Sequence, residues 1–95
     1  MHDLKCWREP FSHVWCGAKL FEFRKKDDRH FIANDVLRLR EWHEIKNEYT
    51  GREIRVRITY TLDRGFGIPS GHCILSLDSE GMIRIRPAPV DFCMY

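Results

Sequence analysis

Polar and apolar positions alternate along two neighbouring runs of the chain. In 36–42 the inward positions are leucines, and in 52–60 they are isoleucines and a valine, with charged residues between them. A period of two is typical of strands that bury one face. Because a polar connection joins the runs, with Thr50-Gly51 as its turn, we predict a β-hairpin with a long loop.

The stretch 17–24 shows the same alternation in its second half. Phe21 and Phe23 point to one side and Glu22 and Arg24 to the other. We therefore predict a strand whose phenylalanines lie in the core. A glutamate and an arginine on the opposite face are either a solvated ion pair, which contributes little, or part of a built site.

A helical pattern precedes this strand. Phe11, Val14 and Trp15 are spaced at i, i+3 and i+4 and form one apolar stripe. Glu9-Pro10 suits the first helical turn, and Gly17 suits the end of the helix. We predict a helix of about two turns that depends on packing, since isolated short helices are unstable.

The remaining apolar runs predict further short strands at 2–7, 72–77 and 82–86. One or two short helices and five or six strands, punctuated by turns, are typical of a small β-rich α+β domain. A partly closed barrel capped by the helix would hide the strand edges.

The chain length fits one domain. Ninety-five residues predict a single unit, 1–95, with its core at about 2–77 and a C-terminal strand and tail at 78–95. Hydrophobic residues make up 43% of the chain and aromatic residues 13%, which excludes disorder over most of its length. The net charge of +2 combines 16 basic with 14 acidic residues, so only a clustered arrangement of charges would bind a polyanion.

Such a cluster is predicted on the outward face of the hairpin. Its members are Arg38, Arg40, Arg55 and Arg57. Arginines in this arrangement would contact a nucleic-acid backbone and make the affinity fall with salt.

Four cysteines, Cys6, Cys16, Cys73 and Cys93, include no closely spaced pair. The N-terminus has no apolar signal-peptide core, so we expect free thiols in a reducing cytoplasm. No apolar run approaches the ~20 residues of a membrane-spanning helix, and we expect no membrane partner. A zinc site from His13, Cys16 and Cys6 is disfavoured without paired knuckles, so we predict neither a metal nor a cofactor.

The stretch 17–24 also resembles a known family. Gly17-x-Lys19-x-x-Glu22-x-Arg24 is similar to the G-x-K-x-x-E-x-R signature of ASCH domains, members of the PUA-like superfamily. The similarity to small bacterial and phage ASCH/PUA-like proteins extends over residues 2 to about 77. The further matching segments are His2-x-Leu4-Lys5, Asp28-Arg29-x-Phe31, Asp35-x-Leu37-x-Leu39-x-Glu41-Trp42 and Tyr49-Thr50-Gly51-Arg52.

The resemblance implies a PUA-like pseudobarrel whose signature strand lines a cleft, with Lys19, Glu22 and Arg24 facing a ligand. PUA-like relatives bind RNA or modified bases in nucleic acid. Arg24 would donate a bidentate pair of hydrogen bonds to phosphate or to a base edge, and Lys19 would offer a point charge. Glu22 would accept from an exocyclic amine. Flanking ligand contacts are expected from four further residues: Asp27, Arg29, Trp42 and Tyr60.

Two other functions stay open at this point. Some ASCH members are small-nucleoside amidohydrolases, which resemble this chain in the lysine but have a threonine, proposed as the nucleophile, at the position of Glu22. An enzyme acting on acylated cytidine would use Lys19 and Glu22, if burial shifted their pKa values. Because a carboxylate poorly replaces an activated hydroxyl, we favour binding of RNA or a modified nucleotide or nucleoside over catalysis. A phage factor that binds a host protein through the arginine face is the other alternative.

Overall fold

The computed structural model describes residues 1–87 and contains one helix and six strands in that range. These elements are β1 (His2–Trp7), α1 (Arg8–Trp15), β2 (Phe21–Lys25), β3 (Val36–His43), β4 (Glu48–Leu62), β5 (His72–Leu77) and β6 (Ile83–Ile85). The prediction of a small β-rich α+β fold is confirmed. The predicted strand at 82–86 corresponds to β6, whereas the predicted tail from residue 88 lies outside the described residues.

The strands form one sheet in the order β1-β3-β4-β5-β2, and β6 pairs with β4 beside this path. The pairing of β1 with β3 is parallel and all other pairings are antiparallel. The long strand β4 holds the sheet together, because its first half pairs with β3 and β6 and its second half pairs with β5. As a result, β1 and β2 are the two outermost strands of the path.

The predicted hairpin is formed by β3 and β4, but the predicted position of its turn is wrong. The turn occupies residues 44–47, where Asn47 has a φ of 54°. Thr50 and Gly51 instead lie inside β4, beside a shift in register opposite Arg40 and Trp42. Gly51 has a φ of 96°, so the glycine that suggested a turn serves a bulge within the strand.

The core lies between the sheet and α1. Phe11 and Val14 of the helix are fully buried and Trp15 packs against the core, as the apolar stripe predicted. The strands contribute the other fully buried side chains, namely Leu37, Leu39, Ile54, Val56, Ile58, Cys73 and Leu75. In residues 1–87 no helix has the length and hydrophobicity needed to cross a bilayer.

The orientation of β2 is opposite to the prediction. The strand alternates as expected, yet Phe21 and Phe23 are 46% and 47% exposed, whereas Glu22 is only 3% exposed. Glu22 lies opposite the buried Leu75 in the pairing of β2 with β5, and this register fixes which side faces inward. The charged face of β2 therefore points into the protein, where its charged side chains need partners.

Candidate functional site

A recess of about 320 Å³ opens beside the two outermost strands. Its walls come mainly from β1 and β2, with contributions from α1 and from the segment between α1 and β2. The lining residues are Lys5, Cys6, Trp7, Pro10, Lys19, Glu22, Phe23 and Arg24. The three charged residues of the signature stretch are therefore gathered in one hollow.

The carboxylate of Glu22 is held by two cations from different directions. Lys19 Nζ lies 3.2 Å from Oε1, and Arg24 Nε donates to Oε2 at 3.0 Å. The side chains of Lys19 and Arg24 are mostly but not wholly buried, whereas that of Glu22 is almost fully buried. A buried carboxylate is stabilised by such pairing, and two cations against one anion leave the recess positively charged.

Lys19 reaches this carboxylate because it lies before β2 begins. Gly17 follows the helix with a φ of 86°, a left-handed conformation that glycine adopts without strain. The backbone N–H of Lys19 then donates to the carbonyl of His13 at 2.9 Å. Since the pleat of β2 starts only at Phe21, the strand alternation does not force Lys19 to the side opposite Glu22.

Cys6 of β1 completes the floor of the recess. Its Sγ lies 3.8 Å from Glu22 Oε1, and Arg24 Nη2 donates to the same sulfur at 2.8 Å. Burial, followed by the negative charge of Glu22, raises the pKa of the Cys6 thiol to about 12. The thiol is therefore protonated at neutral pH and is a hydrogen-bonding group, not a nucleophile.

The rim of the recess carries an exposed aromatic ring. Trp7, the last residue of β1, is 60% exposed. Lys5, two residues earlier on the same side of β1, also lines the recess. Its Nζ lies 3.9 Å above the ring of Trp42, which is the register partner of Trp7 on β3.

Four other predicted ligand residues lie outside the lining of this recess. Asp27 is in the turn after β2, with a φ of 50°, and Arg29 donates to the carbonyl of Asp3 at 2.8 Å. Trp42 packs beneath Lys5 and edge-on to Tyr49 on the outer side of the sheet. Tyr60 is exposed on β4. As ligand contacts, these residues stay predictions.

The arginines of the hairpin lie on its outward face, as predicted, but three of them are engaged internally. Glu53 accepts from Arg38 at 2.9 and 3.0 Å and from Arg55 at 3.0 Å. Hydrogen bonding from Arg38 lowers the pKa of Glu53 to about 2. Arg57 bonds to Asn34 and forms an ion pair with Asp78. Arg40 instead stacks on a tyrosine ring, which leaves its charge uncompensated by a carboxylate in residues 1–87.

A second buried carboxylate, Glu41, lies on β3. Arg52 of β4 donates to both of its oxygens, at 2.9 and 2.8 Å, and the hydroxyl of Thr50 donates at 2.6 Å. The hydrogen bonds from Arg52 lower the pKa of Glu41. These contacts join the segments 35–42 and 49–52 across β3 and β4, and they give Glu41, Thr50 and Arg52 a structural role.

A larger depression of about 600 Å³ lies elsewhere, and its charged side chains are paired with separate partners. Arg55, Arg57 and Asp35 line it. The two arginines are bound by Glu53 and Asp78, and Asp35 accepts from His2 Nε2 at 2.9 Å. The smaller recess is the better candidate, because its charged groups converge on one point.

A metal centre has no support among the described residues. In residues 1–87 no group of three or more histidine, cysteine, aspartate or glutamate side chains is placed to hold an ion. Cys16 is exposed, and its Sγ lies 3.6 Å from the carbonyl of His13.

The sequence pointed to Lys19, Glu22 and Arg24 but not to Cys6 or Pro10 as neighbours. The alternation of Leu4 and Cys6 in β1 signals that Cys6 faces inward. It carries no signal that β1 comes opposite β2, because those strands do not pair with each other. The contact between the side chains of β1 and β2 follows from the order of all the strands in the sheet, which the sequence pattern does not give.

Comparison with known proteins gives one result at the level of the family. No curated protein matches the chain. A family profile described as a domain of unknown function (DUF3850) matches residues 1–77, which include every strand from β1 to β5 and the whole recess. The chain belongs to this family.

Proposed function

We propose that this chain is a cytoplasmic ASCH/PUA-like domain that binds a base of RNA, or a nucleotide, in the recess between β1 and β2. The observation that supports this most directly is the carboxylate of Glu22, buried between Lys19 and Arg24 at the bottom of an open hollow. A carboxylate with only a structural role has no need of an adjoining space that a ligand can enter.

The donors and acceptors of the recess suit a nucleotide. Lys19 has three N–H donors, of which one is directed at Glu22. Arg24 uses Nε and Nη2, while Nη1 makes no hydrogen bond within residues 1–87. These donors are available to phosphate or to a base carbonyl, and Glu22 is an acceptor for an exocyclic amine.

The size of the recess limits the ligand. A volume of about 320 Å³ is at the lower end of the ~300–1,000 Å³ typical of small-molecule sites. It suits a single base or nucleoside unit, with Trp7 at the rim as a stacking surface. A longer nucleic acid would leave the recess after that unit.

The path of the sheet is compatible with a PUA-like pseudobarrel. Side chains of the two outermost strands meet through the contacts of Cys6 with Glu22 and Arg24. Since β1 and β2 do not pair through their backbones, the barrel would be open at this point. In this proposal the opening is the ligand site.

Binding accounts for the geometry better than hydrolysis does. Both oxygens of Glu22 are occupied by cations, and the adjacent Cys6 thiol is protonated at neutral pH. An acyl-transfer mechanism requires an activated nucleophile beside a base, and neither group meets that requirement. We therefore assign the three charged residues to recognition.

The test is a titration of labelled single-stranded RNA and of free mononucleotides at two salt concentrations. We expect the purified chain to bind at low salt, and Arg24→Ala to abolish most of the affinity because it removes the forked donor. Arg64→Ala is the matched control, since Arg64 is 91% exposed at its side chain and is not among the residues that line the recess. Thermal unfolding of each variant verifies that it is folded.

Two results would contradict the proposal. One is the absence of binding to RNA and to all mononucleotides at low salt. The other is an affinity of Arg24→Ala equal to that of the original chain, with the variant folded.

A further inference from the structure

We propose that the ligand is a single nucleic-acid strand whose backbone leaves the recess across β1 and runs over Lys5 and Arg40 on the outer face of the sheet. This inference rests on the proposed function, because it extends the path of a ligand whose base occupies the recess. Under this inference the physiological ligand is a nucleic-acid strand and not a free nucleotide.

Lys5 and Arg40 are distinct from the other cations on this face. Neither has a carboxylate oxygen within 4.0 Å among residues 1–87. Arg38, Arg55 and Arg57, by contrast, are all bound by Glu53 or Asp78. The carboxylates of Glu53 and Asp3 balance the charges of Arg38 and Arg55, and that of Asp78 balances Arg57. These three guanidiniums therefore have no excess positive charge for a phosphate, whereas in the recess two cations share the single carboxylate of Glu22.

The register of the sheet places these two cations side by side. Lys5 of β1 is the direct partner of Arg40 of β3, and neighbouring strands are ~4.8 Å apart. Glu53 of β4 is the partner of Arg40 on its other side. The carboxylate of Glu53 is nevertheless occupied by Arg38 and Arg55, so it does not neutralise Arg40.

Aromatic rings hold both cations without cancelling their charge. Lys5 Nζ lies 3.9 Å above the ring of Trp42, and the guanidinium of Arg40 lies 3.8 Å above the ring of Tyr49. The two rings meet edge to face with their centres 4.9 Å apart. This arrangement limits the motion of the two side chains, and no residue of 1–87 accepts a hydrogen bond from Lys5 Nζ or from the Arg40 guanidinium.

Lys5 connects this pair of cations to the recess. It lines the hollow that contains Glu22 and also stands beside Arg40 on the outer face. Trp7 lies on the same side of β1, two residues along, and is 60% exposed. A strand with one base in the recess would therefore have a stacking surface for the next base and two cations for its phosphates.

The test compares the salt dependence of binding among charge-removing variants. Lys5→Gln and Arg40→Gln are titrated with a labelled single-stranded RNA of ~8 nucleotides, a DNA of the same sequence, and each mononucleotide. Each variant is expected to reduce the slope of log affinity against log salt by ~0.7, the value for one phosphate contact on a single strand. Arg40→Gln should leave the affinity for mononucleotides unchanged, because Arg40 lies outside the recess lining.

Two comparisons separate a specific path from a general effect of charge. Arg64→Gln removes one charge from an exposed loop and should retain the original slope. Arg55→Gln, whose side chain is bound to Glu53, should reduce the slope by less than Arg40→Gln. Binding of DNA as tight as that of RNA would support the backbone path and show that the sugar is not read.

The inference is overturned if Arg40→Gln has the same slope of log affinity against log salt as the original chain. It is equally overturned if Arg64→Gln reduces that slope as much as Arg40→Gln does. It is also overturned, with the proposed function intact, if mononucleotides bind as tightly as the oligonucleotides. If neither mononucleotides nor oligonucleotides bind, both proposals fail together.

Discussion

Two buried glutamates in this domain have their carboxylates paired in different ways. Glu41 is 4% exposed and Glu22 is 3% exposed, so each carboxylate must be paired. Glu41 receives both of its main bonds from one guanidinium, that of Arg52, with the hydroxyl of Thr50 as a further donor. Glu22 receives one bond from each of two cations, Lys19 and Arg24.

The difference separates a structural pair from a candidate site. At Glu41 one cation meets one anion, and Arg52 also stacks over Trp15 at 4.7 Å, so the pair links β3 and β4 to α1. At Glu22 two cations meet one anion next to an open recess, and Arg24 Nη1 makes no hydrogen bond within residues 1–87. Under the proposed function, the excess positive charge beside an accessible recess, more than burial itself, distinguishes Glu22 from Glu41.

The largest effect on stability is expected from Arg52→Ala. This change leaves Glu41 buried without its cation and should lower the free energy of unfolding by about 3 kcal/mol, as for other broken buried pairs. Arg24→Ala should cost only about 1 kcal/mol, because Lys19 still pairs with Glu22 at 3.2 Å. Urea unfolding of both variants measures the difference. Equal losses would show that the two glutamates are structurally equivalent and would remove the contrast.

A smaller effect is expected from Gly51→Ala, in the bulge between Thr50 and Arg52. Gly51 has a φ of 96°, and a Cβ there would lie 2.8 Å from Cβ of Pro87. We expect a loss of about 1–2 kcal/mol from strain and crowding, measured by urea unfolding. Gly17→Ala is the control, since Gly17 has a similar φ of 86° with nothing within 4 Å of the added Cβ. A loss of unfolding free energy no greater than that of the control would show that Pro87 moves aside at little cost.

The sequence contained enough to predict the elements and the charged residues of the recess. Alternation located β3 and residues 52–60 of β4, and the spacing of Phe11, Val14 and Trp15 located the helix. The signature stretch, through its resemblance to ASCH domains, indicated that its lysine, glutamate and arginine converge. These features depend on local periodicity or on a short motif, which a single sequence displays.

Two features could not be predicted, because they depend on contacts between distant strands. Hydrophobicity favours Phe21 and Phe23 as the buried face of β2, but register with Leu75 buries Glu22 instead. The apparent arginine cluster was likewise reduced by Glu53, which bridges Arg38 and Arg55. Neither the register nor the bridging geometry can be read from the local pattern of residue types.

The smallest effect we expect is a change in the acid response of Glu41→Gln. Arg52 lowers the pKa of Glu41 in the folded state, so this pair stabilises the fold above the ordinary carboxyl pKa of about 4.5. That contribution is lost as the pH falls through the folded-state pKa, where the carboxylate takes up a proton. The difference in unfolding free energy between the original chain and Glu41→Gln should therefore be constant near neutral pH and narrow as the pH falls below 4.5.

Urea unfolding at a series of pH values measures this difference, with Glu80→Gln as an exposed control. A difference that stays constant down to the acid limit would mean that the charge of Glu41 contributes nothing, and that the hydrogen bonds to Arg52 and Thr50 form equally well with a neutral side chain.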